Sequence, residues 1–217
     1  MKPNWKLIKS RVKYSALAVA IMGGIYVTGT FNPNQFTLNA LENKIESKYS
    51  LWADSLGLHE PAFEYSNDTQ FIKAMSKCID YVNFKTPPQK RVPIEMILGQ
   101  AALESGWGKS RFANEANNLF GIRTYDKKQP HILPESIKEW SGWGVKKFKS
   151  KCESVKYFVE LLNTHHAYEK FRDTRQSMLN PNSDIDAIAL VKTLDKYSTT
   201  PDYADRVISI IKRLREV

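Results

Sequence analysis

Apolar side chains recur at helical spacing along most of the chain. A typical case is Val155, Phe158, Val159 and Leu162, which lie at positions i, i+3, i+4 and i+7 and therefore share one face of a helix. Two further helices are predicted to start at Pro93 and Pro201, because proline is favourable in the first turn of a helix. Thr200, directly before Pro201, can serve as the N-cap of the second of these helices. The pattern predicts helices over 38–56, 69–84, from Pro93, over 154–164, over 184–195, and from Pro201 with Thr200 as N-cap.

Residues 124–149 break the helical pattern. They contain two prolines, a Ser-Gly turn signal and aromatic residues spaced for a short hairpin. We therefore predict a mainly α domain interrupted by a small β-hairpin lobe.

Residues 14–31 form an uncharged, mostly apolar run that is long enough to cross a bilayer as a helix. Five cations and no acidic residue precede it, which predicts a cytoplasmic N-terminus and an exported domain. A cleaved signal peptide is the competing interpretation, because its basic and apolar regions look alike. The predicted organisation is a basic cytoplasmic tail (1–13), a transmembrane signal anchor (14–31), a juxtamembrane helix and linker (32–68), and a globular domain (69–217).

The net charge of +9 does not indicate a nucleic-acid partner. The basic tail supplies five of these charges and leaves only +4 for the rest of the chain, whereas a nucleic-acid footprint would spread over the domain. Cys78 and Cys152 are compatible with an oxidising compartment, but the sequence leaves open whether they pair.

Glu104 is the first candidate for chemistry, in the stretch GQAALESGWG (99–108). It falls in the last turn of a predicted helix that Gly106 can close, beside apolar neighbours and Trp107. Burial and the negative end of the helix dipole both favour a protonated carboxyl, the form that glycosidases use as general acid. A surface glutamate at a frayed helix end is the alternative interpretation.

Four ordered motifs resemble the glucosaminidase domain of glycoside hydrolase family 73 over roughly residues 70–215. They are PIEMILGQAALESGWGKSRF, NNLFGI (117–122), ESVKYFVELLNTHHAYEKFR (153–172) and YSTTPDYADRV (197–207), the third of which is especially similar to the Bax-type branch. The resemblance implies a lysozyme-like α domain with a sugar-binding groove. The implied activity is hydrolysis of the β-1,4 bond after N-acetylglucosamine in peptidoglycan, with Glu104 as the acid.

The resemblance also assigns a second carboxylate and a tyrosine. Glu139 in the β lobe matches the family's second glutamate, with Glu135 as its competitor, while a substrate-assisted route would need neither. Tyr203 is the third catalytic candidate. Substrate-binding candidates are Trp107, Asn118, Phe120, Trp140, Trp143 and Tyr197, of which the aromatic rings could pack on sugar faces.

We expect no cofactor and no metal, because His165 and His166 are adjacent on a helix and lack an HExxH or CxxC partner. The expected partners are peptidoglycan glycan strands and, through the N-terminal helix, the inner membrane. A muramidase or lytic transglycosylase on the same fold, and a non-catalytic peptidoglycan-binding scaffold, remain alternative functions. The sequence does not identify protein partners.

Overall fold

The computed structural model describes residues 5–28, 35–179 and 185–216. The chain forms two compact units, residues 1–48 and residues 49–217. The first unit holds helix α1 (Trp5–Thr28) and most of α2 (Gln35–Ser55), which runs on into the second. Within the described ranges, no helix combines the length and the apolar character needed to cross a membrane. Residues 29–31 of the span predicted at 14–31 lie outside those ranges.

The second unit is mainly helical, as the sequence predicts. The long helices that were predicted begin and end close to the predicted positions, and two of them have a side-chain N-cap. Asn67 caps α3 by accepting a hydrogen bond from the Gln70 backbone N–H, and Ser150 caps α6 in the same way through Glu153. The helices are α3 (Asp68–Lys85), α4 (Ile94–Ser105), α5 (Arg111–Glu115), α6 (Lys151–Thr164), α7 (Glu169–Met178), α8 (Ala187–Val191) and α9 (Tyr203–Arg215).

The predictions for helices α8 and α9 differ from the structure. The helix expected over 184–195 is only the five-residue α8, and residue 184 itself lies outside the described ranges. The last helix begins at Tyr203 rather than Pro201, and Asp202 instead of Thr200 occupies its N-cap. Helices α5 and α7 were not predicted, because α5 is one turn long and α7 is rich in polar residues.

The β lobe is a three-stranded antiparallel sheet rather than a simple hairpin. Strand β3 (Gly144–Lys146) lies in the middle, between β1 (Arg123–Thr124) and β2 (His131–Ile132). Val145 pairs with Arg123 on one side and with Ile132 on the other. The sequence pattern of short strands separated by turns does not reveal that β3 pairs with both β1 and β2.

Helix α4 lies at the centre of the second unit, in contact with α3, α8 and α9. Its Gly99 lets α9 approach closely, since a Cβ there would lie 3.0 Å from Ile211 Cγ1. Helix α3 packs against α6, and a disulfide between Cys78 and Cys152 joins these two helices, with a Cα–Cα distance of 5.5 Å. This packing fixes the positions of the α4 C-terminus and the α9 N-terminus, where the candidate site lies.

Candidate active site

The end of α4 is held by a run of tight backbone turns. Gly106 has a φ of 57° and accepts the left-handed conformation that ends the helix. Trp107 and Gly108 also have positive φ values, and the Ser105 hydroxyl accepts a 2.7 Å hydrogen bond from the Gly108 backbone N–H. Glu104, one residue before this turn, is therefore held in a fixed place.

The Glu104 carboxylate faces the NNLFGI turn. Gly121 in that turn has a φ of 64°, and a Cβ at its position would lie 3.4 Å from Glu104 Oε2. Glycine serves here both for its conformation and because the carboxylate lies directly against its backbone. Two motifs that are separated in sequence thus meet at one point.

Tyr203, the first residue of α9, lies next to Glu104. Its side chain is 5% exposed and hydrogen bonds to the Glu104 carboxylate. Its hydroxyl also accepts a 3.0 Å hydrogen bond from Gln100 Nε2, one turn before Glu104 on α4. A chain of polar groups therefore runs from Gln100 through Tyr203 to Glu104.

Gln100 is a site residue that our sequence reasoning missed. Its side chain is fully buried, and Gln100 Oε1 accepts no hydrogen bond from any residue that the structure describes. A buried, half-satisfied amide costs free energy, which is typical of functional sites rather than of a core chosen for stability. The only signal in the sequence was a polar residue on an otherwise apolar helix face.

The pKa of Glu104 is raised above the ordinary value, chiefly because burial removes water from the carboxylate. The hydrogen bond from Tyr203 and the positive charge of Arg206 oppose this rise. The result is a carboxyl that stays protonated to higher pH than an exposed glutamate. Such a group can donate a proton near neutral pH.

Tyrosine rings form the wall beside Tyr203. Tyr197 stacks on Tyr203 with a centroid distance of 5.4 Å, and its hydroxyl donates a 2.8 Å hydrogen bond to the Phe120 carbonyl. Both tyrosines line a cavity of about 630 Å³ together with residues of the 192–204 segment. The structure thus brings Tyr197 and Tyr203 together beside Glu104, as one edge of an open space.

Phe120 and Asn118 are not available to a substrate, contrary to the prediction. The Phe120 side chain is 2% exposed and stacks on Phe158 at 4.2 Å, so it belongs to the core. Asn118 is 1% exposed: its amide donates to the carbonyls of Ile122 and Lys146, and its Oδ1 accepts from the N–H groups of Phe120 and Ile122. Asn118 shapes the turn that presents Gly121 to Glu104.

The three predicted tryptophans are half-buried and keep part of each ring exposed. Trp107 meets Phe71 edge to face at 6.2 Å, whereas the other two lie in the β lobe. Trp140 packs against His131 at 4.7 Å, and Trp143 lies under the Arg123 guanidinium at 4.2 Å. These contacts hold the rings in place while leaving surface for a ligand.

The two candidates for the second carboxylate, Glu139 and Glu135, both lie exposed between β2 and β3. His165 and His166 stack on each other, and His165 Nδ1 accepts a hydrogen bond from the Ala167 backbone N–H. Within the described ranges, no three histidine, cysteine or acidic side chains form a group that could hold a metal ion.

Comparison with known proteins gives a consistent result. A sequence model of the glucosaminidase family, described as mannosyl-glycoprotein endo-beta-N-acetylglucosaminidase, matches residues 85–216. Protein bax of Escherichia coli strain K12 is 38% identical over 108 residues, which is 50% of this chain and 37% of bax. Exo-glucosaminidase LytG of Bacillus subtilis strain 168 is 31% identical over 124 residues, which is 54% of this chain and 43% of LytG.

The fold has a solved counterpart in the glycoside hydrolase domain of Salmonella typhimurium FlgJ. The two are 25% identical with a TM-score of 0.51, over 70% of this chain and 90% of that domain. The lysozyme-like glucosaminidase fold expected from the sequence is therefore confirmed. The chain spans about two fifths of the length of the curated relatives it matches.

Proposed function

Because this chain belongs to the glucosaminidase family, we propose that it is a peptidoglycan hydrolase that cleaves the β-1,4 bond after N-acetylglucosamine. The observation that carries the proposal is the placement of Glu104, a half-buried carboxyl with a raised pKa. It lies where the helix end, the NNLFGI turn and Tyr203 converge. Glu104 is the general acid that gives its proton to the departing glycosidic oxygen.

Tyr203 and Gln100 adjust this acid. Gln100 Nε2 donates to the Tyr203 hydroxyl oxygen, so the Tyr203 proton is left to point at Glu104. That hydrogen bond stabilises the carboxylate formed after proton transfer and keeps the pKa of Glu104 from rising further. In this proposal Tyr203 belongs to the catalytic group, and Gln100 is a positioning residue.

Glu139 is our candidate for the base that activates water on the opposite face of the sugar, with Glu135 as the alternative. Its exposed position in the β lobe is compatible with a base that needs access to water. Glu139→Ala should lose most activity and regain part of it with added azide, while Glu135→Ala retains activity. If both variants remain fully active, the substrate's own acetamido group acts as the nucleophile and no second carboxylate is needed.

The exposed faces of Trp107, Trp140, Trp143 and Tyr197 are the proposed sugar-binding surfaces, because apolar ring faces pack on pyranose rings. Replacing Trp140 with alanine should raise KM more than it lowers kcat, since ground-state binding is lost. Tyr197 and Tyr203 already border the 630 Å³ cavity.

The test of the activity is Glu104→Gln in the full chain, assayed on purified peptidoglycan by mass spectrometry. The parent should release products with reducing N-acetylglucosamine ends, and the variant should lose about 10²–10⁴-fold in rate while still binding the wall. Products of 1,6-anhydro-muramyl type would indicate a lytic transglycosylase instead. A parent that leaves the wall intact at every pH would indicate a binding scaffold. The length distribution of early products separates endo-cleavage, which we propose, from exo-cleavage.

We further propose that residues 14–31 anchor the chain in the inner membrane and place residues 69–217 outside the cytoplasm. The support is the uncharged run behind five cations, together with the Cys78–Cys152 disulfide, which is typical of an oxidising compartment. A reporter fused after residue 217 should be active only outside the cytoplasm. The chain should stay with membranes after a high-salt wash; recovery of a shortened, soluble form would indicate a cleaved signal peptide.

A further inference from the structure

A second cavity, of about 530 Å³, lies on the side of the domain where α6 begins. We name it the Lys151 hollow, after the cation in its lining. It combines aromatic rings, lysine ammonium groups and one exposed carboxylate, and it is open to solvent. Its lining residues are Phe63, Glu64, Tyr65, Gly108, Lys109, Asn114 and Lys151.

One wall of the hollow is formed by close packing of Tyr65 against Gly108. The Tyr65 hydroxyl donates a 2.7 Å hydrogen bond to the Gly108 carbonyl, and a Cβ at Gly108 would lie 2.5 Å from that hydroxyl oxygen. Glycine is thus required at 108 by the tyrosine as well as by its φ of 76°. Residues 63–65 lie upstream of the stretch that the family model matches.

Lys151 carries a charge that its surroundings do not balance. Its Nζ lies 6.0 Å from the Phe63 ring centre and 5.7 Å from that of Tyr65, with Asn117 Oδ1 at 3.5 Å. Among the described residues, no carboxylate lies within ion-pair distance of it. Lys109, by contrast, is paired with Asp68 at 2.6 Å.

Two effects disfavour the lone ammonium group. Burial lowers the pKa of Lys151 below its ordinary value. Lys151 is also the first residue of α6, near the positive end of a 14-residue helix dipole. An anion in the hollow would relieve both effects, whereas a neutral sugar would relieve neither.

The hollow is within reach of a substrate bound at Glu104. Gly108 lines it and follows Glu104 by four residues, so their Cα atoms are at most about 15 Å apart. An extended peptide of four residues spans about 13 Å. The peptide stems of peptidoglycan have this length and carry free carboxylates.

We propose that the Lys151 hollow binds a carboxylate of the peptide stem while the glycan lies at Glu104. The ammonium group of Lys151 supplies the ion pair, and the rings of Phe63 and Tyr65 cover the apolar part of the stem. This assignment rests on the proposed function, since it takes peptidoglycan as the substrate. The enzyme would then prefer glycan that carries peptide stems over glycan without them.

The first experiment compares two substrates with the full chain. Lys151→Met should lower kcat/KM about fivefold on glycan that carries stems, as expected for one partly exposed ion pair, and leave it unchanged on glycan stripped of stems by an amidase. Lys156→Met, an exposed lysine on the same helix, is the matched control and should change neither rate. An equal loss on both substrates, or no loss on either, would overturn the proposal.

A binding measurement tests the hollow without hydrolysis. A soluble tetrapeptide stem with free carboxylates should perturb the side-chain NMR signal of Lys151 in the parent. It should bind Lys151→Arg about as tightly as the parent and Lys151→Met about fivefold more weakly. Failure of the parent to bind it, or equally tight binding of an amidated peptide or inorganic phosphate, would overturn the proposal. Peptide binding by a parent that cleaves neither glycan would instead contradict the proposed function.

Discussion

Burial and two neighbouring side chains set the pKa of Glu104, and they act in opposite directions. Burial raises its pKa, while the hydrogen bond from Tyr203 and the charge of Arg206 lower it. A general acid needs both influences, because it must be protonated before the reaction and must release the proton during it. The side chains that oppose burial therefore control the upper end of the working pH range.

The first prediction concerns this pH range. In the proposed mechanism Glu104 must be protonated, so kcat/KM should fall as the pH rises through the Glu104 pKa. Tyr203→Phe removes a bond that lowers this pKa, and the alkaline limb of the pH profile should move to higher pH. Gln100→Met should move it the same way by less, because the donor to Tyr203 is lost.

Arg206→Gln should also move the alkaline limb of the pH profile to higher pH. This shift should be smaller in high salt, because the charge of the exposed Arg206 is screened. Tyr157→Phe, in a tyrosine that packs on Phe148 instead, is the control and should leave the limb in place. A downward shift in Tyr203→Phe would contradict the role given to its hydroxyl. The measurement is kcat/KM against pH for each variant.

The second prediction concerns stability. The Glu104 pKa is higher in the folded chain than in the unfolded chain, so its ionisation on raising the pH costs folding free energy. Glu104→Gln should match the parent at pH values below the ordinary glutamate pKa and exceed its Tm by about 1–3 °C near neutral pH. Calorimetry across pH checks this, and a variant that is less stable at neutral pH would oppose it.

Glu104 could be found from the sequence because helix spacing, a helix-ending glycine and apolar neighbours all lie within ten residues. Phe120 and Asn118 could not be assigned correctly, since their roles depend on partners far along the chain, such as Phe158 and Lys146. Gln100 was missed for the same reason: its partner is Tyr203, 103 residues away. Local patterns identify candidate residues, and long-range contacts decide what they do.

At the scale of elements, the helices were predictable where a cap or proline coincides with a periodic apolar face. Helix α3 begins one residue before its predicted start and ends one after its predicted end, because Asn67 caps its N-terminus. Helix α8 is short, although its sequence favours a longer helix, because the chain turns at 192–197 to deliver Tyr197 to the site. The three-stranded sheet was missed because its strands are only two or three residues long.

The third prediction concerns the link between α3 and α6. The Cys78–Cys152 disulfide closes a segment of 74 residues, and in the chain-entropy account it stabilises the fold by about 4 kcal/mol. Adding a reductant should therefore lower the denaturant midpoint of the parent strongly. The double variant Cys78→Ala, Cys152→Ala should start at the lower midpoint and ignore the reductant; a parent that also ignores it would show that the pair contributes little.

At the scale of the whole molecule, the boundary between the two units falls inside α2. The end of that helix belongs to the second unit, where Ala53 is fully buried and Trp52 stacks on Phe84 at 4.9 Å. The globular domain was expected to start at residue 69, because residues 32–68 were interpreted as a juxtamembrane helix and a linker. The contact between Trp52 and Phe84 is what the sequence could not supply.

The fourth prediction follows from this boundary. A chain of residues 49–217 should melt at the same temperature as the full chain and keep its activity on soluble glycan. A chain of residues 59–217 loses the Trp52–Phe84 stack and should melt about 3–6 °C lower. Equal melting temperatures for the two shortened chains would mean that Trp52 adds no stability.

Helix α3 lies almost entirely upstream of the stretch that the family model matches, which starts at residue 85. Yet Phe71, Met75 and Ile79 of α3 are completely enclosed, and Cys78 is the bonding partner of Cys152. A shortened chain that begins at residue 85 would therefore expose the apolar surface that α3 covers. It would also leave Cys152 without its disulfide partner. The matched stretch contains the candidate site, but a chain that is to fold needs the residues upstream of it.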